Sequence, residues 1–173
     1  MKADPAVLGA APQPGHYDID PDRSRVTFAT RHLFGLGRVK GSFAVRRGSA
    51  DIADPLEVSA IYAEIDTASF RTNNRQRDQR VRSPRFLDAA GHPVMSFRSD
   101  LIAAGDQALT GTLTVRGTTR PVTLAVTRCE LAGESFTARA TTRVDRTEFG
   151  ITAARGLAAR HLDLTVEVQC TRN

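Results

Sequence analysis

The sequence lacks any apolar run long enough to cross a membrane. Arg, Asp or Glu interrupts each apolar stretch well before the roughly 20 consecutive residues that a span requires. The first residues also lack the continuous apolar segment of a secretory signal, because Asp4 and Pro5 follow Lys2 closely. We therefore expect a cytoplasmic protein with a flexible leader over residues 1–16 and one domain over residues 17–173.

Cysteine is scarce as well. The two cysteines, Cys129 and Cys170, match no metal-ligand spacing, so neither a disulfide scaffold nor a zinc site is expected, and both thiols are predicted to be reduced. His16, His92 and His161 share no short spacing, which argues against a metal site elsewhere. No Ser-His-Asp or Cys-His pattern stands in a familiar nucleophile context, and no paired carboxylates are placed to raise one pKa. We predict no catalytic residues and no enzyme activity.

Positive charge is concentrated in one short segment. The chain has 24 basic and 19 acidic residues, and the segment from Arg71 to Arg85, with six arginines against Asp78, accounts for the whole net charge of +5. A basic segment of this kind raises the alternative of a small nucleic-acid-binding barrel. The segment contains no aromatic residue on which bases could stack, so nucleic acid is not the expected partner.

Apolar side chains alternate with polar ones along most of the chain, which predicts strands. A tight turn over residues 116–120 predicts a hairpin, and residues 73–81 form the one predicted helix, with Thr72 as N-cap and Ser83-Pro84 as stop. This pattern favours an all-β sandwich or up-and-down barrel. The eight predicted strands cover residues 26–32, 39–45, 61–65, 94–99, 109–115, 122–126, 136–144 and 162–168.

Short motifs recur in a recognisable order from about residue 17 to residue 168. They are Tyr17-x-Ile19-Asp20, Ser24, His32, Gly41-Ser42-Phe43, Gly48, Asp66-x-x-Ser69-x-x-Thr72, Arg77-Asp78, Phe86, Pro93, Phe97-x-Ser99, Gly111-x-Leu113-Thr114-Val115-Arg116-Gly117 and Arg146-x-x-Phe149-Gly150-Ile151. In this order the sequence resembles the YceI-like family. The resemblance implies an eight-stranded antiparallel lipocalin-like β-barrel with one short helix near one end. It also implies a lipid-binding, polyisoprenoid-binding function without a shared catalytic activity, and a homodimer.

An apolar cavity inside such a barrel would bind the lipid. The small residues Gly41, Gly111, Ala138 and Ala140 on inward faces are expected to leave volume that a ligand fills. His32 lies in line with the inward face of the first predicted strand and has two interpretations, a polar contact to a ligand head or a buried histidine bound to a backbone carbonyl. The predicted wall residues are Phe28, His32, Phe43, Phe70, Phe86, Phe97, Leu113, Phe149 and Ile151.

The arginines near the predicted helix also have two interpretations. Arg75, Arg77 and Arg80 would contact a lipid head group or an anionic membrane surface at the barrel mouth, or would form a solvated face. Asp78 is expected to hold the helix against the barrel. We predict no cofactor, with an isoprenoid, quinone-like or fatty-acyl lipid as the ligand. An enzyme acting on a hydrophobic substrate is the other alternative beside nucleic-acid binding.

Overall fold

The structure, a computed structural model, describes residues 10–32, 37–103, 105 and 107–173. Strands make up most of this part of the chain, and its single α-helix is short. The strands are β1 (Gly15–Ile19), β2 (Arg25–His32), β3 (Gly37–Ile52), β4 (Ala60–Asp66), β5 (Val94–Ala103), β6 (Ala108–Val115), β7 (Thr118–Ala132), β8 (Ser135–Asp145) and β9 (His161–Arg172), and the helix is α1 (Arg75–Arg82).

The strands close into an antiparallel barrel. Neighbouring strands follow the order β3, β2, β9, β8, β7, β6, β5 and β4, and β4 pairs with β3 to complete the circle. Closure leaves no strand edge around the ring, which is how up-and-down barrels avoid pairing with other chains. The prediction of an all-β, eight-stranded antiparallel barrel with one short helix is confirmed.

The additional strand, β1, is one that the alternation pattern does not predict. It pairs with residues 49–52 of β3 and 170–172 of β9, whereas β2 pairs with other parts of the same two strands. Strands β1 and β2 therefore occupy one position in the ring, and the chain between them leaves the sheet from Asp20 to Ser24. Gln169 of β9 spans the interruption, because its N–H donates to Ser24 Oγ at 3.0 Å and its carbonyl accepts the Asp20 N–H at 2.8 Å.

Alternation along each strand decides which side chains enter the barrel. In β9 the side chains of Leu162, Leu164 and Val166 face the interior. On the other face of β9, Asp163 and Glu167 form ion pairs with arginines of the neighbouring strands β8 and β2 on the outer surface. The interior wall is apolar because of this period of two, and the charged residues remain in contact with water.

The helix forms where the sequence predicts it but begins later. Asn73 has a φ of 60°, which is incompatible with a right-handed helix. The side chain of Asn74 caps the helix by accepting the Arg77 N–H at 3.0 Å. Thr72, the predicted N-cap, instead donates its hydroxyl to Asp78 Oδ1 at 2.6 Å and its N–H to the same oxygen at 3.0 Å. Asp78 thus fastens the helix to the segment before it.

The connection between β4 and β5, residues 67–93, lies across one end of the barrel. On one side its Arg71 forms two backbone hydrogen bonds with Ser42 of β3, at 2.9 and 3.1 Å. On the opposite side the carbonyl of Phe86 accepts a hydrogen bond from Arg116 in the β6–β7 turn, at 3.0 Å. These attachments hold α1 over the barrel opening.

We call this the helix end of the barrel. It consists of residues 67–93, the β6–β7 turn at residues 116–117 and the connection between β8 and β9 at residues 146–160, because β4, β6 and β8 all end there and β5, β7 and β9 all begin there. The opposite end carries the start of β1 and the β7–β8 turn. The arginine-rich segment of the sequence therefore lies entirely at one end.

Two glycines do not leave open volume as the sequence predicts. A Cβ added to Gly41 would lie 2.4 Å from the ring of Phe28 and 2.5 Å from the carbonyl oxygen of Arg71. A Cβ added to Gly111 would lie 2.2 Å from the carbonyl oxygen of Arg98. The expectation is wrong at both positions, because an aromatic ring and neighbouring backbone already occupy the space that the missing side chain frees.

Replacing Gly41 with alanine is expected to lower the free energy of unfolding by about 1–3 kcal/mol, since the ring of Phe28 and the backbone of Arg71 must both move. Urea unfolding followed by circular dichroism measures the change. Gly105→Ala is the control, because no atom of the described residues lies within 4 Å of a Cβ added there. Equal stability of the Gly41→Ala variant and the wild type would contradict the close packing at this position.

Candidate functional site

The barrel encloses a cavity of about 1080 Å³. Each strand contributes inward side chains to its wall, and nearly all of them are aliphatic or aromatic. Small-molecule sites in proteins usually measure about 300–1,000 Å³. The cavity is therefore large enough for a sizeable ligand, and its wall favours an apolar one, since polar groups buried there would lose hydrogen bonds to water.

Eight of the nine residues predicted to form the wall line this cavity, and the side chain of the ninth lies outside the described part of the structure. The eight that line it are Phe28, Phe43, Phe70, Phe86, Phe97, Leu113, Phe149 and Ile151. The backbone of His32 ends β2, but its side chain lies outside the described part of the structure. The role of His32 and ligand contact by the other eight residues stay predictions.

Three aromatic rings form one compact group in the wall. Phe70 stacks on Phe28 with ring centroids 5.3 Å apart and meets Phe43 edge-on at 5.4 Å. Aromatic pairs of this geometry contribute about 0.5–1.5 kcal/mol beyond their buried area. Because Phe70 belongs to the 67–93 connection, the group packs that connection onto β2 and β3 and gives this part of the wall a fixed shape.

One face of α1 borders the cavity. Gln76, Arg77, Arg80 and Val81 line it, as expected for two adjacent pairs of residues that lie four positions apart on a helix. Gln76 and Arg80 are also exposed to solvent, so the cavity opens beside the helix. Arg75 is exposed but does not border the cavity. Of the three arginines predicted to contact a head group, only two lie at the opening.

Residues 146–160 form another part of the same opening. Leu157 lines the cavity although its side chain is 58% exposed, which places it at the rim. An exposed leucine and the cationic side chain of Arg80 therefore border one mouth. This combination suits a surface that meets both the acyl region and the head groups of a lipid.

Arg146 is a candidate that sequence reasoning did not select. It lines the cavity, is only 9% exposed, and lies over the ring of Phe86 at 5.8 Å from the centroid. Its Nε donates to the carbonyl of Ala159 at 2.7 Å and one terminal nitrogen donates to that of Ile151 at 2.9 Å. Burial lowers the pKa of Arg146, and the charge of nearby Asp145 acts in the opposite direction. The motif that begins at Arg146 was visible in the sequence, but nothing there showed that its charge would be buried.

At the other end, the cavity reaches residues 10–12, which line it together with Ile102. These residues belong to the predicted leader, and β1 begins at Gly15, two residues before the predicted domain. Residues 1–9 lie outside the described part of the chain, so flexibility of the leader stays a prediction. The cavity thus extends from the helix end to the start of β1.

Both cysteines line the cavity and both are free thiols. Cys170 is 1% exposed, and burial raises its pKa to about 12. Burial also raises the pKa of Cys129. The two thiols therefore serve as chemical reporters of access to the interior.

Within residues 10–32, 37–103, 105 and 107–173, no group of three or more His, Cys, Asp or Glu side chains is arranged to hold a metal ion. In the same described portion, no helix is long and apolar enough to span a bilayer. The cytoplasmic assignment stays a prediction.

Comparison with known proteins gives consistent matches along nearly the whole chain. The profile of the YceI-like domain matches residues 17–171. A UPF0312 protein of Azotobacter vinelandii is 31% identical over 180 residues, which cover 96% of this chain and 93% of that protein. The crystal structure of Burkholderia cenocepacia BcnA has a TM-score of 0.75 at 20% identity, covering 88% of this chain and 99% of that chain. A polyisoprenoid binding domain from Saccharophagus degradans, implicated in plant cell wall breakdown, has a TM-score of 0.67 at 13% identity, covering 91% and 98%. Both solved structures share the barrel fold.

Cys170 is expected to resist alkylation in the folded protein, because its raised pKa keeps it protonated at pH 8 and the thiolate is the reactive form. In a Cys129→Ser variant, iodoacetamide should modify Cys170 at least about 100-fold more slowly than in the same variant unfolded in urea. Mass spectrometry of the intact chain measures both rates. Equal rates in the folded and unfolded states would show that the thiol is not enclosed.

Proposed function

The chain belongs to the YceI-like family, and we propose that it binds the tail of a long amphiphilic lipid inside its barrel and carries or buffers that lipid without chemical change. The observation that carries the proposal is the apolar cavity of about 1080 Å³, which extends along the barrel interior. Isoprenoid, quinone-like and fatty-acyl tails all match such a wall. The polyisoprenoid binding domain of Saccharophagus degradans has the same fold, which supports an isoprenoid among these ligands.

The energetics of such binding favour exchange over tight retention. Burying each methylene group out of water contributes about 0.8 kcal/mol. A membrane offers a lipid tail nearly the same gain, so transfer from the bilayer into the barrel changes the free energy of the tail little. Shape and head-group contacts then decide the net affinity, and lipid can move in both directions. Reversible exchange of this kind suits a carrier or buffer.

The arginines at the mouth supply the head-group contact of this proposal. Arg77 and Arg80 border the opening, and a guanidinium can pair with two phosphate oxygens at once. The same segment would draw the helix end towards an anionic bilayer, where each basic residue contributes about 1 kcal/mol near the surface. Lipid would therefore enter beside α1, with the exposed Leu157 at the rim.

The alternatives from the sequence receive less support. Every phenylalanine in the described part of the chain is buried, so none of them offers a platform on which nucleic-acid bases could stack. We propose that the protein has no catalytic residues and uses no cofactor. The homodimer expected from the family resemblance stays a prediction.

Organic extraction of the gently purified protein, followed by mass spectrometry, is expected to yield a long-chain lipid in up to equal molar amount. A Phe97→Asp variant should lose this lipid, because a charge on the apolar wall must be desolvated or must draw water into the cavity. Phe97→Leu keeps an apolar side chain and serves as the control. Preserved strand content by circular dichroism separates loss of binding from unfolding. Repeated extraction of the wild type without any lipid would contradict the proposed function.

A double variant, Arg77→Gln with Arg80→Gln, is expected to take up a fluorescent fatty acid from phosphatidylglycerol vesicles roughly tenfold more slowly at low salt, because two charges at the opening are lost. Stopped-flow fluorescence at low and high salt measures the rate. Thermal unfolding checks that the loss of Arg77 leaves the helix in place.

The matched control for this experiment removes Arg75 and Arg85 instead, which carry the same charge in the same segment but do not line the cavity. It should slow uptake less. Equal rates for both double variants would assign the effect to general surface charge. If both double variants take up the fatty acid at the wild-type rate, the arginines form only a solvated face and have no role in uptake.

A further inference from the structure

Arg146 places a positive charge in an apolar wall. The residue lines the cavity at the helix end and is only 9% exposed. In the described residues it forms no ion pair. The adjacent carboxylate, Asp145, is occupied by Thr147, whose hydroxyl donates to Oδ1 at 2.6 Å, and by Arg160, whose Nε donates to Oδ2 at 2.7 Å. The guanidinium is therefore held directly by carbonyl oxygens, and the charge of Asp145 acts on it only from a distance.

The hydrogen bonds of Arg146 leave part of its guanidinium unused. A guanidinium has five N–H donors. Three of them reach carbonyl oxygens, those of Ala159 at 2.7 Å, Ile151 at 2.9 Å and Ala158 at 3.4 Å. Two donors, one on each terminal nitrogen, have no acceptor among the described residues.

A buried cation without a counter-ion is unfavourable, and a ligand anion would relieve this. A fully neutral lipid would bring only apolar groups against the guanidinium and would leave the remaining donors unsatisfied. A compact oxyanion would accept both donors and neutralise the charge in a site from which water is largely excluded, where charge-assisted hydrogen bonds are strong. Arg155, which adds positive charge on the same connection, favours an anion there as well.

We propose that Arg146 binds the oxyanion at the head of the lipid, a carboxylate or a phosphate monoester, so that the head group lies inside the helix end. This inference rests on the proposed lipid-binding function and narrows its ligand class to amphiphiles with a compact anionic head. The arginines of α1 meet the head during entry, and Arg146 holds it in the bound state. The tail then extends towards residues 10–12, along the apolar part of the wall.

The test compares three probes with one tail: dodecanoate, dodecyl phosphate and 1-dodecanol. Each displaces the neutral dye N-phenyl-1-naphthylamine from protein freed of lipid on a hydrophobic resin. The wild type should bind at least one anionic probe more tightly than the alcohol. Arg146→Gln should reduce this preference at least about tenfold, the effect of losing a hydrogen bond to a charged group, while the affinity for 1-dodecanol changes little. The tighter anionic probe identifies carboxylate or phosphate as the head.

Two further variants separate recognition from a structural role. Arg146→Lys keeps the charge but not the two-point geometry, so it should retain part of the anionic preference and covers the case in which Arg146→Gln does not fold. Arg155→Gln removes a nearby exposed charge that does not line the cavity, so it should reduce the preference much less than Arg146→Gln does. If Arg146 only anchors the connection from 146 to 160, its variants lose affinity for all three probes equally.

The outcomes distinguish this inference from the function on which it rests. An unchanged ratio of anionic to neutral affinity in Arg146→Gln, with all three probes still bound, overturns the role of Arg146 alone. Failure of the wild type to bind the dye and every probe overturns both proposals. A selective loss of the anionic probes in Arg146→Gln, with partial recovery in Arg146→Lys, supports both.

Discussion

Closure of the sheet through the pairing of β3 with β4 is the constraint on which the rest of the structure depends. Once eight strands form a ring, their number and tilt fix the width of the interior, and the inward side chains can only fill that width or leave a cavity. In this chain the inward residues are mainly valines, leucines, isoleucines, alanines and a limited number of phenylalanines, which leave about 1080 Å³. The cavity therefore follows from ring size and side-chain volume together.

The two ends of this cavity differ in chemistry because the chain places its irregular segments unevenly. The long connections from β4 to β5 and from β8 to β9 both lie at the helix end, and together they carry nine arginines. Arg80 borders the opening in contact with water, whereas Arg146 is buried behind it. Polar contacts at one end and apolar contacts along the rest match the two parts of an amphiphile.

Much of the barrel follows from the sequence because an inward face needs apolar residues at every second position. The strand β1 escapes this rule, since it is short and shares its place in the ring with β2. The N-cap is Asn74 and not the predicted Thr72, because the hydroxyl of Thr72 is hydrogen-bonded to Asp78 and the side chain of Asn74 accepts the helix N–H instead. The surroundings of Gly41 and Arg146 could not be predicted, because they depend on how the folded chain brings residues together. The ring of Phe28 covers Gly41, and the carbonyls of Ile151 and Ala159 surround Arg146.

The shared position of β1 and β2 makes the barrel unequal in its resistance to opening. At the helix end the shared position in the ring is filled by β2, which is paired along its length with β3. At the other end it is filled by β1, which has only five residues. The ladder between them is replaced at Gln169 by one side-chain and one backbone hydrogen bond. Local unfolding of β1 would therefore widen the far end while the arginine-bearing end keeps its shape, so the two ends of one cavity differ in mechanical stiffness.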